Sequence, residues 1–395
     1  MNQSDRIVIV GGGPGGFSTA RAYRQAGGRG QVILISAESY PPYNRPPLTK
    51  EYLRDEIERD QLPIESPKWF EENNVELRLA TTVSSLDRDR RVVETEDGEV
   101  PYDSLVLATG SEPIRIPVPG ADDPEILVMR TIENSERLKS RVGEGSRAVV
   151  VGSGFIGCEA AASLSLRGAE VTLISLEEGP QRERLGEDVS ERIEGWLEGY
   201  GVKLYLGTRV EGIERKNGGF QITVDGGETV VAETVLFGTG VEPRTRLAEE
   251  AGLEIKEGGI VTDSSMRTSA PGIFAVGDIV FAMNESAGSR QKVEHWGDAL
   301  EHGRIAGTVL AGGEAVWAMA PGFWSTMGDK TLKYWAWSRG WDEVRFENKD
   351  GAEGEGEAFT VWYGKEGVTV GVLAHNADED YEEGRALIEQ GAPLP

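Results

Sequence analysis

An α/β fold built twice over in one chain, closed by a small α+β domain, is predicted by three observations. The apolar run Ile7–Val10 leads directly into Gly11-Gly12-Gly13-Pro14-Gly15-Gly16. The run Ala148–Val151 leads in the same way into Gly152-Ser153-Gly154-Phe155-Ile156-Gly157. From about Trp317 the pattern changes to short alternating strands carrying most of the tryptophans.

Each loop has the form G-x-G-x-x-G between a strand and a helix. The first glycine permits a tight turn, the second lets the backbone approach a pyrophosphate, and the third lets helix and strand pack closely. The helix N-terminus then faces the phosphates with free N–H groups and the positive end of its dipole. One such loop can be a purely structural turn. Two in this setting predict two Rossmann-like dinucleotide-binding domains and electron transfer between their ligands.

The elements follow in order. Arg6–Val10 is the first strand, Phe17–Ala26 a small-residue helix and Gln31–Ser36 the second strand. Arg91–Glu96 and Glu99–Tyr102 flank Asp97-Gly98, a hairpin turn pair, and lead to Leu105-Val106-Leu107-Ala108-Thr109-Gly110. The plan then repeats. Residues 148–175 are strand, loop, helix and strand; Phe220–Val224 and Thr229–Ala232 flank Asp225-Gly226-Gly227; and the repeat closes on Val235-Leu236-Phe237-Gly238-Thr239-Gly240. The first unit resumes with Ile273–Asp278, the crossings falling near Pro113 and Pro243. In the last part, strands are expected at Thr331–Ser338, Glu343–Glu347, Ala358–Tyr363 and Val368–Asn376, with a hairpin at Gly364–Gly367. A mobile acidic loop is expected at Gly351–Gly356 and a terminal helix at Asp380–Gln390. At strand spacing the tryptophans are expected mainly in the core.

The 395 residues suffice for two or three domains. A net charge of −26 argues against non-specific nucleic-acid binding and against anionic membranes. No apolar run is long enough to span a bilayer, and the polar start predicts no signal peptide. Cys158 is the one cysteine; it excludes an intramolecular disulfide and fits a reducing cytoplasm. Without a Cys/His cluster, no metal is expected.

Several motifs together carry a resemblance. They are the first glycine loop, Arg45-Pro46-Pro47-Leu48-Thr49-Lys50, Ala108-Thr109-Gly110, Gly154-Phe155-Ile156-Gly157-Cys158-Glu159, Gly277-Asp278, Glu294-His295-Trp296 and Phe323-Trp324-Ser325. The chain resembles the FAD-dependent NAD(P)H:ferredoxin reductases of oxygenase systems, a group that the apoptosis-inducing flavoprotein also resembles. The resemblance implies a glutathione-reductase-like fold. It assigns 1–112 with 243–316 to FAD, 113–242 to NAD(P)H, and 317–395 to a C-terminal α+β domain covering the flavin.

It also implies site residues. For FAD these are Gly11, Gly13, Pro14, Gly15, Gly16, Glu38, Arg45, Lys50, Ala108, Thr109, Gly110, Gly277, Asp278, Glu294, His295, Trp296 and Trp324. For NAD(P)H they are Gly152, Gly154, Phe155, Ile156, Gly157, Glu159, Ser175, Glu177 and Gly240. Glu38 follows the first loop by about 20 residues, where a carboxylate hydrogen-bonds a ribose. Thr268–Asp278 resembles a second FAD fingerprint whose aspartate holds the ribitol chain. In the resembled family, the lysine at position 50 lies near flavin N5 and pairs with the glutamate matching Glu159, and these two are the expected catalytic residues. Thr49 is expected to cap a helix. Trp296 and Trp324 are implied beside the flavin, with plain core packing as the alternative.

Disulfide reductases need two cysteines near the flavin and related peroxidases one; here Asn44 and Arg45 stand in that region. Electrons must then leave for an external acceptor, a ferredoxin or rubredoxin. The alternatives are a quinone or other small acceptor, or a non-catalytic NADH sensor. Lys330, Lys333 and Arg339 are a candidate basic docking patch on an acidic protein. Either coenzyme is admissible: Ser175 stands where NADH-preferring relatives carry an acid, a carboxylate at Glu177 could bind a 2′-hydroxyl, and Arg182 and Arg184 could take a 2′-phosphate. The lean is towards NADH.

Overall fold

Two five-stranded parallel sheets carry the two glycine loops. The computed structural model describes residues 5–337, 340–349 and 357–395. In the first sheet the order is Ile273–Ala275, Ser104–Leu107, Arg6–Val10, Gln31–Ile35, Val75–Arg78. In the second it is Lys203–Tyr205, Glu170–Ile174, Arg147–Val151, Thr234–Phe237, Leu127–Val128. Strands buried on both faces are near-continuous runs of Val, Ile and Leu, as parallel sheets between covering layers require. Val8, Ile9, Val150 and Leu173 are all fully buried or within 1% of it.

Each parallel sheet has a three-stranded antiparallel companion. One is Val83–Asp87, Val92–Thr95 and Gly98–Pro101; the other is Val210–Lys216, Gly219–Val224 and Thr229–Ala232. Both carry a register shift near the start of the first strand, at Val83/Ser85 and at Val210/Gly212. The chain crosses between units through a two-stranded antiparallel ribbon in which Pro113 faces Val241 and Ser111 faces Pro243.

The glycine turns are backbone requirements. Gly11 and Gly152 sit at φ +124° and +104°, and a Cβ on either would meet a carbonyl oxygen, Ala108 O at 2.0 Å or Gly238 O at 2.4 Å. The first helix spans Pro14–Gln25, three residues earlier than expected at its start. Proline at the first helical position costs no hydrogen bond, because that N–H has no intrahelical acceptor.

The C-terminal sheet is antiparallel, in the order Gly322–Met327, Lys330–Ala336, Val368–His375, Ala358–Lys365, Glu343–Lys349. Its strands end within a few residues of the expected bounds. The expected positions of Ser338, Arg339 and the Gly351–Gly356 loop lie outside the described residues. The last helix is Asp378–Gln390, two residues longer, with Asp378, Glu379 and Asp380 favourably placed in its first turn.

His302 lies in the helix Trp296–Leu310, fully buried against the ring of Trp317 at 4.5 Å. Neither ring nitrogen has a hydrogen-bond partner among the described residues. Burial lowers its pKa from 6.5 to about 3. The unfolded chain therefore binds a proton that the fold refuses. The contribution to stability is complete above pH 6.5 and is lost as pH falls towards 3. His302→Leu is expected to flatten the decline across that window by about 1.4 kcal/mol per pH unit, read by denaturant titration at several pH values.

Candidate functional site

One cavity of about 1390 Å³ is walled by both glycine loops and by the C-terminal sheet. Gly11–Gly15, Glu38, Arg45, Lys50, Ala108–Gly110, Gly277 and Asp278 line it from the first unit. Gly154, Phe155, Ile156, Glu159, Arg184 and Gly240 line it from the second, with Phe323, Trp324 and Tyr334 from the C-terminal sheet. Glu294, His295 and Trp296 line it at the start of the helix Trp296–Leu310. Of the expected residues, Gly16, Gly152, Gly157, Ser175 and Glu177 are not in its wall.

The Lys50 ammonium and the Glu159 carboxylate are 2.9 Å apart, at 5% and 3% exposure. Arg45 is followed by a 3-10 turn, Pro46–Thr49, which delivers Lys50. Glu159 comes from the first turns of the helix Phe155–Leu166. Its Oε2 also accepts the Thr49 hydroxyl at 2.6 Å. Its Oε1 accepts the Ser325 hydroxyl at 2.8 Å and the Thr326 N–H at 3.3 Å. Buried charges persist when paired and fully hydrogen-bonded, and this carboxylate is both. Thr49 thus serves the ion pair and caps no helix, because the turn it ends is not an α-helix.

Just past the second strand of the first unit, Glu38 accepts the Tyr43 hydroxyl and an Arg45 N–H, both at 2.5 Å. Arg45 also donates to Arg130 O at 2.6 Å, and Arg130 pairs with Asp278 at 2.8 Å. Arg130 and Tyr43 escaped the sequence reading, since nothing in their local spacing distinguishes them from surface residues.

Aromatic rings close the middle of the cavity. Phe323 lies 4.5 Å from Phe155, 4.8 Å from His295 and 5.3 Å from Tyr334, centroid to centroid. The Arg184 guanidinium sits 5.4 Å over Phe323 and 5.8 Å over Phe155. Burial, with Arg184 adding to it, lowers the His295 pKa to about 3, so this imidazole is neutral at physiological pH. Burial likewise pushes Tyr334 up to about 12. Trp324 keeps 47% exposure at the wall, whereas Trp317, Trp337 and Trp362 are core.

Three expectations need correction. Arg184 stacks over Phe323 inside the cavity and Arg182 is bonded to Glu187, so the two arginines expected to take a 2′-phosphate are turned to other partners. Ser175 is 4% exposed and spends its hydroxyl on Ser153 Oγ at 2.6 Å and on the Glu177 N–H at 3.1 Å. Lys330 pairs with Asp329 and Lys333 with Asp378, which cancels the supposed basic patch; Arg339 is outside the described residues.

The residues fit FAD. The Gly13 Cβ position faces open space where a pyrophosphate would lie, and Glu38 and Asp278 line the same cavity with carboxylates that could accept hydrogen bonds from sugar hydroxyls. Cys158, the one thiol, is buried outside the cavity wall, its Sγ donating to Ser153 O at 3.3 Å. Among the described residues no helix is long and apolar enough to cross a membrane.

Residues 5–303 match the model of the pyridine nucleotide-disulphide oxidoreductases, and residues 322–395 match that of the reductase C-terminal domain. The chain is 32% identical over 329 residues to the rubredoxin-NAD(+) reductase of Pseudomonas putida, covering 83% of this chain and 85% of that protein. It is 31% identical to the rhodocoxin reductase of Rhodococcus erythropolis, over 98% of this chain and 90% of the other. A putidaredoxin reductase solved in covalent complex with putidaredoxin shares the fold with a TM-score of 0.92 at 30% identity, over 99% of this chain and 94% of that one. The chain therefore belongs to the pyridine nucleotide-disulphide oxidoreductase family, as an FAD-dependent NAD(P)H oxidoreductase without a redox-active disulfide.

Proposed function

We propose that the protein carries electrons from NAD(P)H by way of FAD to a small redox protein of the ferredoxin or rubredoxin type. The observation that carries this reading is the buried Lys50–Glu159 pair in the wall of a cavity reached by both glycine loops, with no cysteine in that wall. The relatives named for rubredoxin and for rhodocoxin reduction support the acceptor class. A cytoplasmic location belongs to the same reading, supported by the lone, unbridged Cys158.

Bound FAD supplies the exchange between a two-electron hydride and single electrons. The chain supplies position, field and exclusion of water. The first loop and Glu38 hold the FAD pyrophosphate and ribose, and Asp278, oriented by Arg130, takes the ribitol chain. The second loop holds the coenzyme pyrophosphate. Glu159 keeps the Lys50 ammonium at a fixed point, where a buried cation stabilises negative charge more than it could in water. Phe155, Phe323 and Tyr334 keep bulk water from that point. Trp324, half-exposed at the cavity wall, is the exit side, facing the acceptor.

Reduce the protein with NADH without oxygen, then mix it with oxidised ferredoxin, rubredoxin or quinone. Rapid reoxidation by an iron–sulfur or rubredoxin acceptor is expected. Reoxidation by quinone alone, or a long-lived complex that none of them discharges, would sink the reading. Trp324→Ala is expected to slow the step to the protein acceptor at least about tenfold, while bleaching by NADH stays within about twofold, because an exposed aromatic anchor typically contributes upwards of 1–2 kcal/mol to docking.

A further inference from the structure

Among the described residues, seven lysines and arginines line the cavity, and six of them are neutralised in place. Arg45, Lys50 and Arg130 are held by Glu38, Glu159 and Asp278. Arg244, Arg246 and Lys292 face Glu112, Glu250 and Glu294 at 3.6, 3.0 and 3.7 Å. Arg184 is the seventh. Among the described residues it forms no ion pair; its guanidinium lies over the rings of Phe323 and Phe155 instead.

The fold fixes this cation in place. Arg184 sits in the one-turn helix Arg182–Leu185 of the second unit. Two side chains of the C-terminal domain hold the backbone there: the Trp341 indole donates to Arg184 O at 3.1 Å and the Tyr363 hydroxyl to Leu185 O at 2.8 Å. The guanidinium projects out of its own unit into the middle of the cavity. Burial dominates the pKa values of His295, Tyr334 and Glu294, and the Arg184 charge lowers all three. None of these groups belongs to the second unit. On that unit's own Glu177 the charge of Glu183 acts, and that of Arg184 does not. An unpaired cation thus stands where ligands of the two loops must meet.

Taking the loops as the FAD and NAD(P)H sites, we propose that Arg184 makes the protein discriminate between the two oxidation states of the nicotinamide, holding the neutral reduced ring and expelling the cationic oxidised one. When NADH gives up its hydride, one hydrogen and two electrons pass to bound FAD. The nicotinamide turns from neutral to cationic, and the flavin takes the matching negative charge. Lys50 is offset by Glu159 and contributes little net charge at a distance. Arg184 has no such offset, so the spent ring meets a like charge in a cavity whose aromatic wall keeps bulk water away. Repulsion there is stronger than in water. The negative flavin meets the same cation favourably. Both effects pull hydride transfer forward and push the oxidised coenzyme out. The same cation placed on the coenzyme pyrophosphate would act differently: it would hold oxidised and reduced forms alike.

The test is equilibrium binding to the oxidised holoenzyme, followed by flavin absorbance, in wild type, Arg184→Gln and Arg184→Lys. The ligands are NAD+, its 1,4,5,6-tetrahydro analogue, which is neutral in the ring and cannot donate hydride, and ADP-ribose, which has the pyrophosphate and no nicotinamide. Wild type is expected to bind NAD+ about tenfold or more weaker than the tetrahydro analogue, the order of one screened like-charge contact. Arg184→Gln should bring the two within about threefold, chiefly by tightening NAD+, and Arg184→Lys should keep most of the difference because it keeps the charge. ADP-ribose should bind all three proteins within about twofold, since its charges lie away from the ring position. Equal wild-type affinity for NAD+ and the analogue, or a ratio that Arg184→Gln leaves unmoved, would overturn the inference. Parallel weakening of all three ligands by Arg184→Gln would overturn it too, in favour of a pyrophosphate contact. Each of these leaves the NAD(P)H reading intact so long as ADP-ribose binds the wild type and NADH or NADPH bleaches its flavin. Failure of both would overturn the two together.

Discussion

Lys50→Met is expected to slow bleaching of the bound flavin by NADH about 100-fold or more, the range seen when one preorganised electrostatic partner is removed. The side chain keeps its length and loses only the ammonium. Glu159 then stays buried, held by the Thr49 and Ser325 hydroxyls and the Thr326 N–H. Breaking a buried pair from one side typically costs about 3–5 kcal/mol. These three remaining donors should place the loss at or below the low end, so the variant folds and stays yellow. Glu159→Gln removes the counter-charge and keeps the shape. It should leave Lys50 less firmly placed and slow bleaching by a smaller factor than Lys50→Met. Stopped-flow bleaching, with thermal unfolding alongside, separates the two effects. Equal rates in wild type and Lys50→Met would remove the pair from the mechanism.

Gly16→Ala and Gly157→Ala should separate the two halves of the reaction with one chemical change. A Cβ at Gly16 would lie 2.1 Å from Gly11 O, and one at Gly157 would lie 2.0 Å from Gly152 O. Neither glycine needs an unusual backbone angle; the conflict is with backbone oxygen, which cannot swing away as a side chain could. The helix must retreat from the strand, and overpacking of this kind costs about 1–3 kcal/mol. It also pulls the helix N-terminus off the pyrophosphate. Gly16→Ala is expected to purify largely colourless. Gly157→Ala should stay yellow and lose about 100-fold or more in kcat/KM for NADH, from misplacement of the coenzyme. Loss of flavin from Gly157→Ala alone would reverse the assignment of the loops.

Much of this was legible because it is local. Glycine loops, the strand preceding each and the Pro46-Pro47 turn are written within a few residues of one another. The Lys50–Glu159 pair is what the family resemblance implies; a bare lysine after two prolines reads as a surface residue. The remainder depends on contacts far apart in sequence. Ser325 reaches Glu159 across 166 residues, and Arg130 reaches Asp278 across 148. Neither serine nor arginine carries a local mark of such a role. Arg182 and Arg184 were paired by proximity in sequence, but the one-turn helix Arg182–Leu185 sends them to different partners. Ile-Ser-x-Glu recurs after the second strand of both units, but four residues carry no local sign that the two turns share the same serine-to-backbone hydrogen bond.

Glu159 draws its hydrogen bonds from two remote stretches: the turn at Thr49 and Lys50, and the strand holding Ser325 and Thr326. The C-terminal sheet also clasps the second unit through Tyr363, which donates to Leu185 O at 2.8 Å, and Trp341, which donates to Arg184 O at 3.1 Å. The ion pair is thus fully bonded only once the C-terminal sheet has docked on the second unit: a chain lacking that sheet leaves Glu159 Oε1 without its Ser325 and Thr326 donors.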